Sequence, residues 1–486
     1  MLMSTKHGTL SAMKIHYYIW VYVVLTIATV SCSQAPTVEI DQSAPSTTVD
    51  VKATETPPSS NITEHNTVSS LNNSNTNGDT STAPPTPTLT PAHDSINAGQ
   101  LALRNSNWQA AIDSYILALE QTDEDDELHL DAHLGLAHSY LRSKAMWTAL
   151  ETLETFEANH PTAYNIADAI FLLGLTNHQL GNHTIAIQYF DQYLEQYPNI
   201  IDSYVLELIG DAHRSLAKYS NSADYYESAI LKPRGTNINF LLLDKAEVLQ
   251  AAGQTTESIA LFDLVANNTK YDNTRAQMDY KRAKTMVAAN QINTAIQYYK
   301  HAVNTYPESY YSYLSLVELL SYGTIVNEFQ RGLIDYHADQ HTPAILAFRR
   351  YLSTNPDHDA QAHYYMALSY RNLDNIAAAK VHFQEIIDTH PNDPLWGEAW
   401  LEIAYTQWGW EDNYAGAVSK LRDMVSTYPK HSMTPEILFY AARIAERGKY
   451  LDTASDLWGQ VADDYPNTKL GSEAAFLSGI TSYRKG

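Results

Sequence analysis

A glycine or alanine, a second small residue twelve positions later, a bulky side chain four beyond that, another three further on and then a proline after five: Gly174, Ala186, Phe190, Tyr193 and Pro198 set this spacing. It returns in Ala283, Ala295, Tyr299, Ala302 and Pro307, and again in Ala367, Ala379, Phe383, Ile386 and Pro391. Five more sets keep the offsets with or without the proline: Gly99-Ala111-Tyr115-Ala118, Ala137-Ala149-Leu153-Phe156-Pro161, Gly210-Ser222-Tyr226-Ala229, Ala246-Ser258-Phe262-Val265 and Gly332-Ala344-Phe348-Tyr351-Pro356. Ala442-Ala454-Trp458-Val461-Pro466 continues the series, while Ala404-Ala417-Leu421-Met424-Pro429 holds one extra residue in the turn around Trp408 to Asp412. One such set means little, but the recurrence excludes a single globular core and requires a stacked array of one repeated unit.

The offsets have a steric meaning. Two antiparallel helices approach closely only where side chains are small, so the first small residue belongs to a helix A and the second to a helix B. The aromatic or aliphatic residue four further on fills the groove toward the next unit. Proline ends each unit because it lacks an N–H and disfavours helix in the residue before it. This is the tetratricopeptide pattern, with a unit of about 34 residues. The expected fold is therefore all-α, a right-handed solenoid of tetratricopeptide-like helical hairpins preceded by a disordered linker. An eleventh unit begins at Ala474, with Gly479 read as its small residue, and the sequence stops at Gly486 before a helix B. Ala474, Phe476, Leu477, Ile480 and Tyr483 are left as an unmatched apolar stripe, whereas solenoids close on a polar capping helix, so a longer native chain is expected.

Composition narrows the partners. The formal charge is −24 and no lysine- or arginine-rich run occurs, which argues against nucleic acid, since phosphate binding needs a basic face. The acidic run Asp123 to Glu127 reads as a solvated loop, because it lacks the glycine turn and spaced ligands of a calcium loop. Tyrosines number 34 against 10 phenylalanines. Most are expected to pack between repeats with their hydroxyls at the wet edge.

Residues 1–32 have the features of an export signal: Lys6 and Lys14, an apolar stretch from Ile19 to Val30, then Ser31 before Cys32, the only cysteine. That position resembles the acylated cysteine of bacterial lipoproteins, although Thr29 stands where an aliphatic residue is usual. The resemblance implies a lipid anchor at the bacterial cell membrane, with the chain facing away from the cytoplasm; ordinary secretion and an uncleaved membrane anchor are the alternatives. Residues 33–93 are rich in Ser, Thr, Pro and Asn without apolar periodicity and cannot bury enough surface to fold. Some 60 such residues span roughly 45 Å, a tether that lets the repeats search nearby. Repeats are expected over 94–308 and 309–486.

No catalytic constellation is present: no phosphate-cradling glycine loop, no nucleophile elbow and no His-Glu-x-x-His. His129 with His133, and His337 with His341, have one-turn spacing, but in a chain with 19 histidines packing is the reading taken. No metal or other cofactor is expected. Recognition by an extended curved surface is the mechanism the repeats favour, with the helix A aromatics Tyr364, Tyr405, Trp408 and Tyr440 as candidate binding residues.

From Tyr306 onward the wording becomes more specific. Pro307-Glu-Ser-Tyr-Tyr-Ser-Tyr-Leu, Glu328-Phe-Gln-Arg-Gly-Leu, Asn355-Pro-Asp-His and Ala404-Tyr-Thr-Gln-Trp resemble the superhelical region of exported soluble lytic murein transglycosylases. In that family the helical region precedes a lysozyme-like domain that cleaves peptidoglycan, but its catalytic residues have no counterparts here. Glu227-Ser228, Glu257-Ser258 and Glu308-Ser309 fall inside or at the ends of repeats, and no Gly-Leu-Met-Gln-like segment follows them. The resemblance implies a non-catalytic scaffold contacting peptidoglycan or cell-wall proteins. The alternative is an adaptor lipoprotein that binds protein partners during envelope assembly, and an enzyme built within the repeats is a third class.

Overall fold

The computed structural model describes residues 90–485, so the export signal, Cys32 and most of the linker lie outside the described residues. Among the described residues there are 22 α-helices and no strand. Packing divides the chain after Leu216 into two compact units.

The first unit holds α1 (Pro91–Arg104), α2 (Trp108–Glu120), α3 (Glu127–Arg142), α4 (Met146–Asn159), α5 (Ile166–Gln179), α6 (His183–Gln196) and α7 (Asp202–Ser215). Its first helix starts inside the stretch read as linker to residue 93. Thr90 supplies the reason, because its hydroxyl accepts the His93 N–H while Pro91 occupies the first helical turn.

The second unit runs through α8 (Tyr219–Ile230), α9 (Asn239–Ala251), α10 (Thr255–Asn267), α11 (Asp272–Ala288), α12 (Ile292–Thr305), α13 (Tyr310–Ser321), α14 (Glu328–His337) and α15 (His341–Thr354). It continues with α16 (Gln361–Asn372), α17 (Ile376–Thr389), α18 (Leu395–Trp410), α19 (Tyr414–Thr427), α20 (Thr434–Arg447), α21 (Leu451–Asp464) and α22 (Lys469–Lys485).

Within each unit sequential helices pack as hairpins, and the small-residue lattice lies at their contacts. Ala186, Phe190 and Tyr193 are fully buried, as are Ala295, Tyr299 and Ala302, and Ala454, Trp458 and Val461. A Cβ added at Gly174 on α5 would stand 2.6 Å from the Phe190 ring on α6, and one at Gly332 on α14 would stand 2.7 Å from Phe348 on α15. Only a residue without a side chain admits those rings. At Ser258 the small position also donates a hydrogen bond, 2.7 Å to the Ala246 carbonyl across the α9/α10 hairpin.

The A-to-B turns share one backbone device. Asn107, Gln291 and Asn375 each donate a backbone N–H to the carbonyl five residues back, at 2.8–2.9 Å, and the residue before each, Ser106, Asn290 and Asp374, has a positive φ. This is the Schellman closure of a helix C-terminus. The α18/α19 turn carries the extra residue seen in the sequence, so Asn413 reaches back six residues to Gln407, with Asp412 left-handed. At the other end of the hairpins that close on proline, the helix stops two residues before it: α6 at Gln196, α12 at Thr305 and α19 at Thr427.

Three details depart from the sequence reading. First, α13 is an additional helix between Pro307 and Gly332, capped by the Ser309 hydroxyl; its small buried residues are serines, Ser312 and Ser315, which lack the Gly/Ala signature of the other units. Second, Gly479 is exposed, and a Cβ there would meet nothing; the residue that seats α22 is Ala474, fully buried with Leu470 and Leu477 beside it. Third, the hydroxyls of Tyr193 and Tyr299 are buried without a hydrogen-bond partner rather than lying at the wet edge, because the aromatic position faces the middle of the stack. Among the described residues no helix is long and apolar enough to cross a membrane.

Candidate functional site

Three consecutive A helices of the second unit, α16, α18 and α20, present the four aromatic residues singled out above. Tyr405, Trp408 and Tyr440 line a groove of about 930 Å³ with Glu398, Glu402, Arg443, Arg447 and Arg484. Tyr364 stands beside it on α16 and donates its hydroxyl to Glu402 Oε1 at 3.3 Å. Helical spacing produces this lining, since 398, 402, 405 and 408 lie on one stripe of α18, and 440, 443 and 447 on one stripe of α20. The aromatic positions were therefore legible from the sequence. Their charged neighbours were missed, although the same helical stripes carried them.

Arginine holds the aromatic wall in place. Arg371 on α16, buried, donates to Glu402 Oε2 at 2.5 Å and to Thr406 Oγ1 at 3.3 Å. Its guanidinium lies 5.1 Å from the Tyr405 ring centre and 4.8 Å from that of Trp410. Arg447 sits 4.7 Å over Trp408. Each is a cation–π contact, worth more where water is excluded. Tyr405 meets Trp408 and Trp410 edge-on at 5.2 Å. Tyr405 and Tyr440 stay 41% and 47% exposed, so part of each ring remains within reach of a ligand.

The charge of the groove differs from that of the chain. Arg443, Arg447, Lys449 and Arg484 face Glu398, Glu402 and Glu446, in a protein whose formal charge is −24. Arg484 pairs with Glu446. Burial, followed by the nearby Glu402 and Glu436, pushes the Glu398 carboxyl above the usual range. The arrangement can accept carboxylates and backbone carbonyls through arginine forks and stack flat or apolar groups on its aromatic rings.

A smaller recess of about 70 Å³ lies in the first unit, lined by Gln100, Tyr115, Asp131, His138, Asn165 and Asp168 among others. Asp168 Oδ1 is buried there without a partner. Burial first, and then the charge of Asp131, pushes its pKa up to about 7. The neighbouring His138 is held down to about 4, by burial and then by Arg142.

The histidine pairs noted in the sequence pack as rings. His129 and His133 stand 6.2 Å apart, with His133 against Phe156 at 5.5 Å, and His337 and His341 both lie against Tyr336.

Comparison with known proteins places the repeats. The sequence model of a family described as outer membrane lipoprotein (YfiO) matches residues 90–229, and a tetratricopeptide repeat model matches residues 278–309 and 361–393. No curated protein matches the chain. Among solved structures, a tetratricopeptide repeat protein from Parabacteroides merdae is 14% identical, with a TM-score of 0.36 over 57% of this chain and 98% of its own. PilF of Pseudomonas aeruginosa is 20% identical, with a TM-score of 0.35 over 48% of this chain and 97% of its own. The described chain is thus an all-α array of tetratricopeptide-type repeats whose N-terminal portion is similar to an outer membrane lipoprotein family.

Proposed function

We propose that this protein is a cell-envelope scaffold: an exported lipoprotein, anchored through Cys32, whose repeats hold a protein partner by an extended segment laid along the groove of α18 and α20. The observation that carries this reading is the groove itself, where exposed Tyr405 and Tyr440 alternate with Arg443 and Arg447. Tetratricopeptide-type repeats and the outer-membrane-lipoprotein-like segment support a binding role at the envelope. Residues 1–32 would direct export and residues 33–93 would tether the repeats to the lipid. The partner segment suited to the groove is extended, aromatic or apolar, and carries carboxylates for the arginines.

A second reading is a scaffold that acts in peptidoglycan turnover as the superhelical part of a lytic transglycosylase. Its support is the wording of Ala404-Tyr-Thr-Gln-Trp408, of which Tyr405 and Trp408 line the groove, and aromatic faces suit sugar rings as well as peptides.

One experiment separates the two. The full-length native protein and an Arg443→Glu/Arg447→Glu variant are incubated with purified peptidoglycan sacculi and, separately, with detergent-solubilised envelope proteins. A stoichiometric protein partner lost in the variant supports the adaptor. Retention by sacculi that the variant loses supports the wall-scaffold reading, and equal retention of both forms on either material removes the groove from the function. Mass spectrometry of the native N-terminus tests the anchor, since the anchored form starts at a diacylglyceryl-modified Cys32.

A further inference from the structure

Three histidines from one loop, one helix start and one helix end converge at one end of the α16/α17 hairpin. His358 lies in the loop between α15 and α16, His363 in the first turn of α16, and His390 at the C-terminal cap of α17. Their ligating nitrogens all lie within 4.8 Å of one another. The ring centres of His358 and His363 are 5.0 Å apart, those of His358 and His390 5.1 Å, and those of His363 and His390 6.3 Å. We propose that His358, His363 and His390 form a binding site for a late divalent transition metal ion of the zinc and copper class.

The hydrogen bonding of the rings favours this over simple packing. His390 Nε2 is buried without any partner, although a packed histidine ordinarily finds a donor or acceptor. His358 Nδ1 lies 3.0 Å from the Asp359 carbonyl, to which it donates, which leaves Nε2 as a free lone pair. His363 Nδ1 lies 3.0 Å from Nδ1 of a fourth histidine, His382 on α17. With His363 donating, its Nε2 is likewise free. An outer partner that fixes the ring and tautomer of a ligating imidazole is the usual support of a metal site. His382 is itself fixed, stacked on Tyr370 at 5.4 Å with the rings 4° from parallel.

The electrostatics agree. His363 is buried, so its ring is set inside the hairpin and little water competes for it. His390 ends α17, where the partial negative charge of the helix C-terminus favours a cation. Opposing this, a positive charge stands nearby: Arg349 donates at 2.9 Å to the hydroxyl of Tyr370, the ring stacked on His382.

The frame is already assembled. Asp393, in the loop after His390, accepts the Ala360 N–H at 3.2 Å and the Leu395 N–H at 2.8 Å, which fastens the loop bearing His358 to the one following His390. A tetrahedral ion with nitrogens at about 2.0 to 2.1 Å brings them to about 3.3 Å from each other, so ring rotations of about 1 Å complete the site. Three imidazoles leave a fourth position for water. Imidazole sets suit zinc, copper and nickel and bind calcium and magnesium poorly. The ion would clip two successive inter-repeat loops together beside Tyr364, the residue that bonds Glu402 in the groove.

The test uses the tag-free full chain, freed of metal and titrated calorimetrically with Zn²⁺, alongside His358→Asn, His363→Asn, His390→Asn and His382→Phe. Circular dichroism first confirms that each variant folds; His358, in a loop, keeps the test open should a helix variant unfold. One equivalent of Zn²⁺ is expected, and each ligand variant should lose at least tenfold in affinity. His382→Phe should weaken binding by about ten- to a hundredfold, and a His129→Ala/His133→Ala control should bind like the parent. X-ray absorption of the loaded protein should show three imidazole nitrogens at about 2.0 to 2.1 Å. Absence of binding, binding unchanged in every ligand variant, or fewer than three imidazoles in the spectrum would each overturn the site.

Discussion

Replacing Asp168 by asparagine should stabilise the first unit, and by more at higher pH. The carboxyl is raised to about 7 by burial and by Asp131, so the folded chain binds its proton more tightly than the unfolded chain, whose carboxyl titrates near 4. Stability is therefore unaffected by this group below about pH 4 and falls as pH rises through the interval up to about 7. A shift of about three units corresponds to a penalty of about 4 kcal/mol at pH 8 and about 1.4 kcal/mol at pH 5, taken as upper values because the recess is open to water on one side. Asparagine keeps the shape without the charge and removes that penalty. Amide hydrogen exchange in α5 and α6 is the suitable assay, since a repeat array opens locally and one melting temperature does not describe it. Exchange, corrected for its intrinsic pH dependence, should slow by up to about a thousandfold at pH 8 and by far less at pH 5. Equal protection at the two pH values would show that Asp168 is not a strained carboxylate.

Ala295→Trp forces an indole into the closest contact of the α11/α12 hairpin and should cost about 1 to 3 kcal/mol or more, read as faster hydrogen exchange across α11, α12 and α13 with α1 to α6 unchanged. Arg371→Ala leaves Glu402 part-buried with the Tyr364 hydroxyl but no cation and should destabilise the α16–α18 region by about 2 to 4 kcal/mol in urea denaturation followed by tryptophan fluorescence. Arg371→Lys should recover only part of that loss, since lysine cannot form the same fork. Trp408→Ala should leave circular dichroism unchanged while weakening capture of the groove partner by at least tenfold in a binding titration.

The fold was readable because its determinants are local. Ala186 with Phe190, or Ala295 with Tyr299, are fixed by helix periodicity, and one unit predicts the next. Even the extra residue near Trp408 was visible, and the structure absorbs it in a longer turn closure at Asn413. Helix α13 escaped because its buried small residues are serines, whose hydroxyls bond to carbonyls: Ser312 to Ala302 and Tyr306, and Ser315 to Tyr311. The four aromatic residues sit together because they lie on successive A helices, Tyr405 and Tyr440 exposed and Tyr364 and Trp408 half-buried. What the sequence concealed was convergence between repeats. Arg371 meets Glu402 across 31 positions, and His358 meets His390 across 32, about one repeat length, at spacings matching no contiguous motif.

The ring of Tyr115 on α2 is flanked by two glycines, Gly99 on α1 and Gly135 on α3, and a Cβ on either would overlap it. Glycine has no smaller substitute, so evolutionary drift at these two positions can only add atoms. Each addition collides with the same ring, and only a change at Tyr115 can relieve it. The three positions are therefore bound to vary as a set, and in any diverging lineage a larger residue at 99 or 135 should be accompanied by a smaller one at 115.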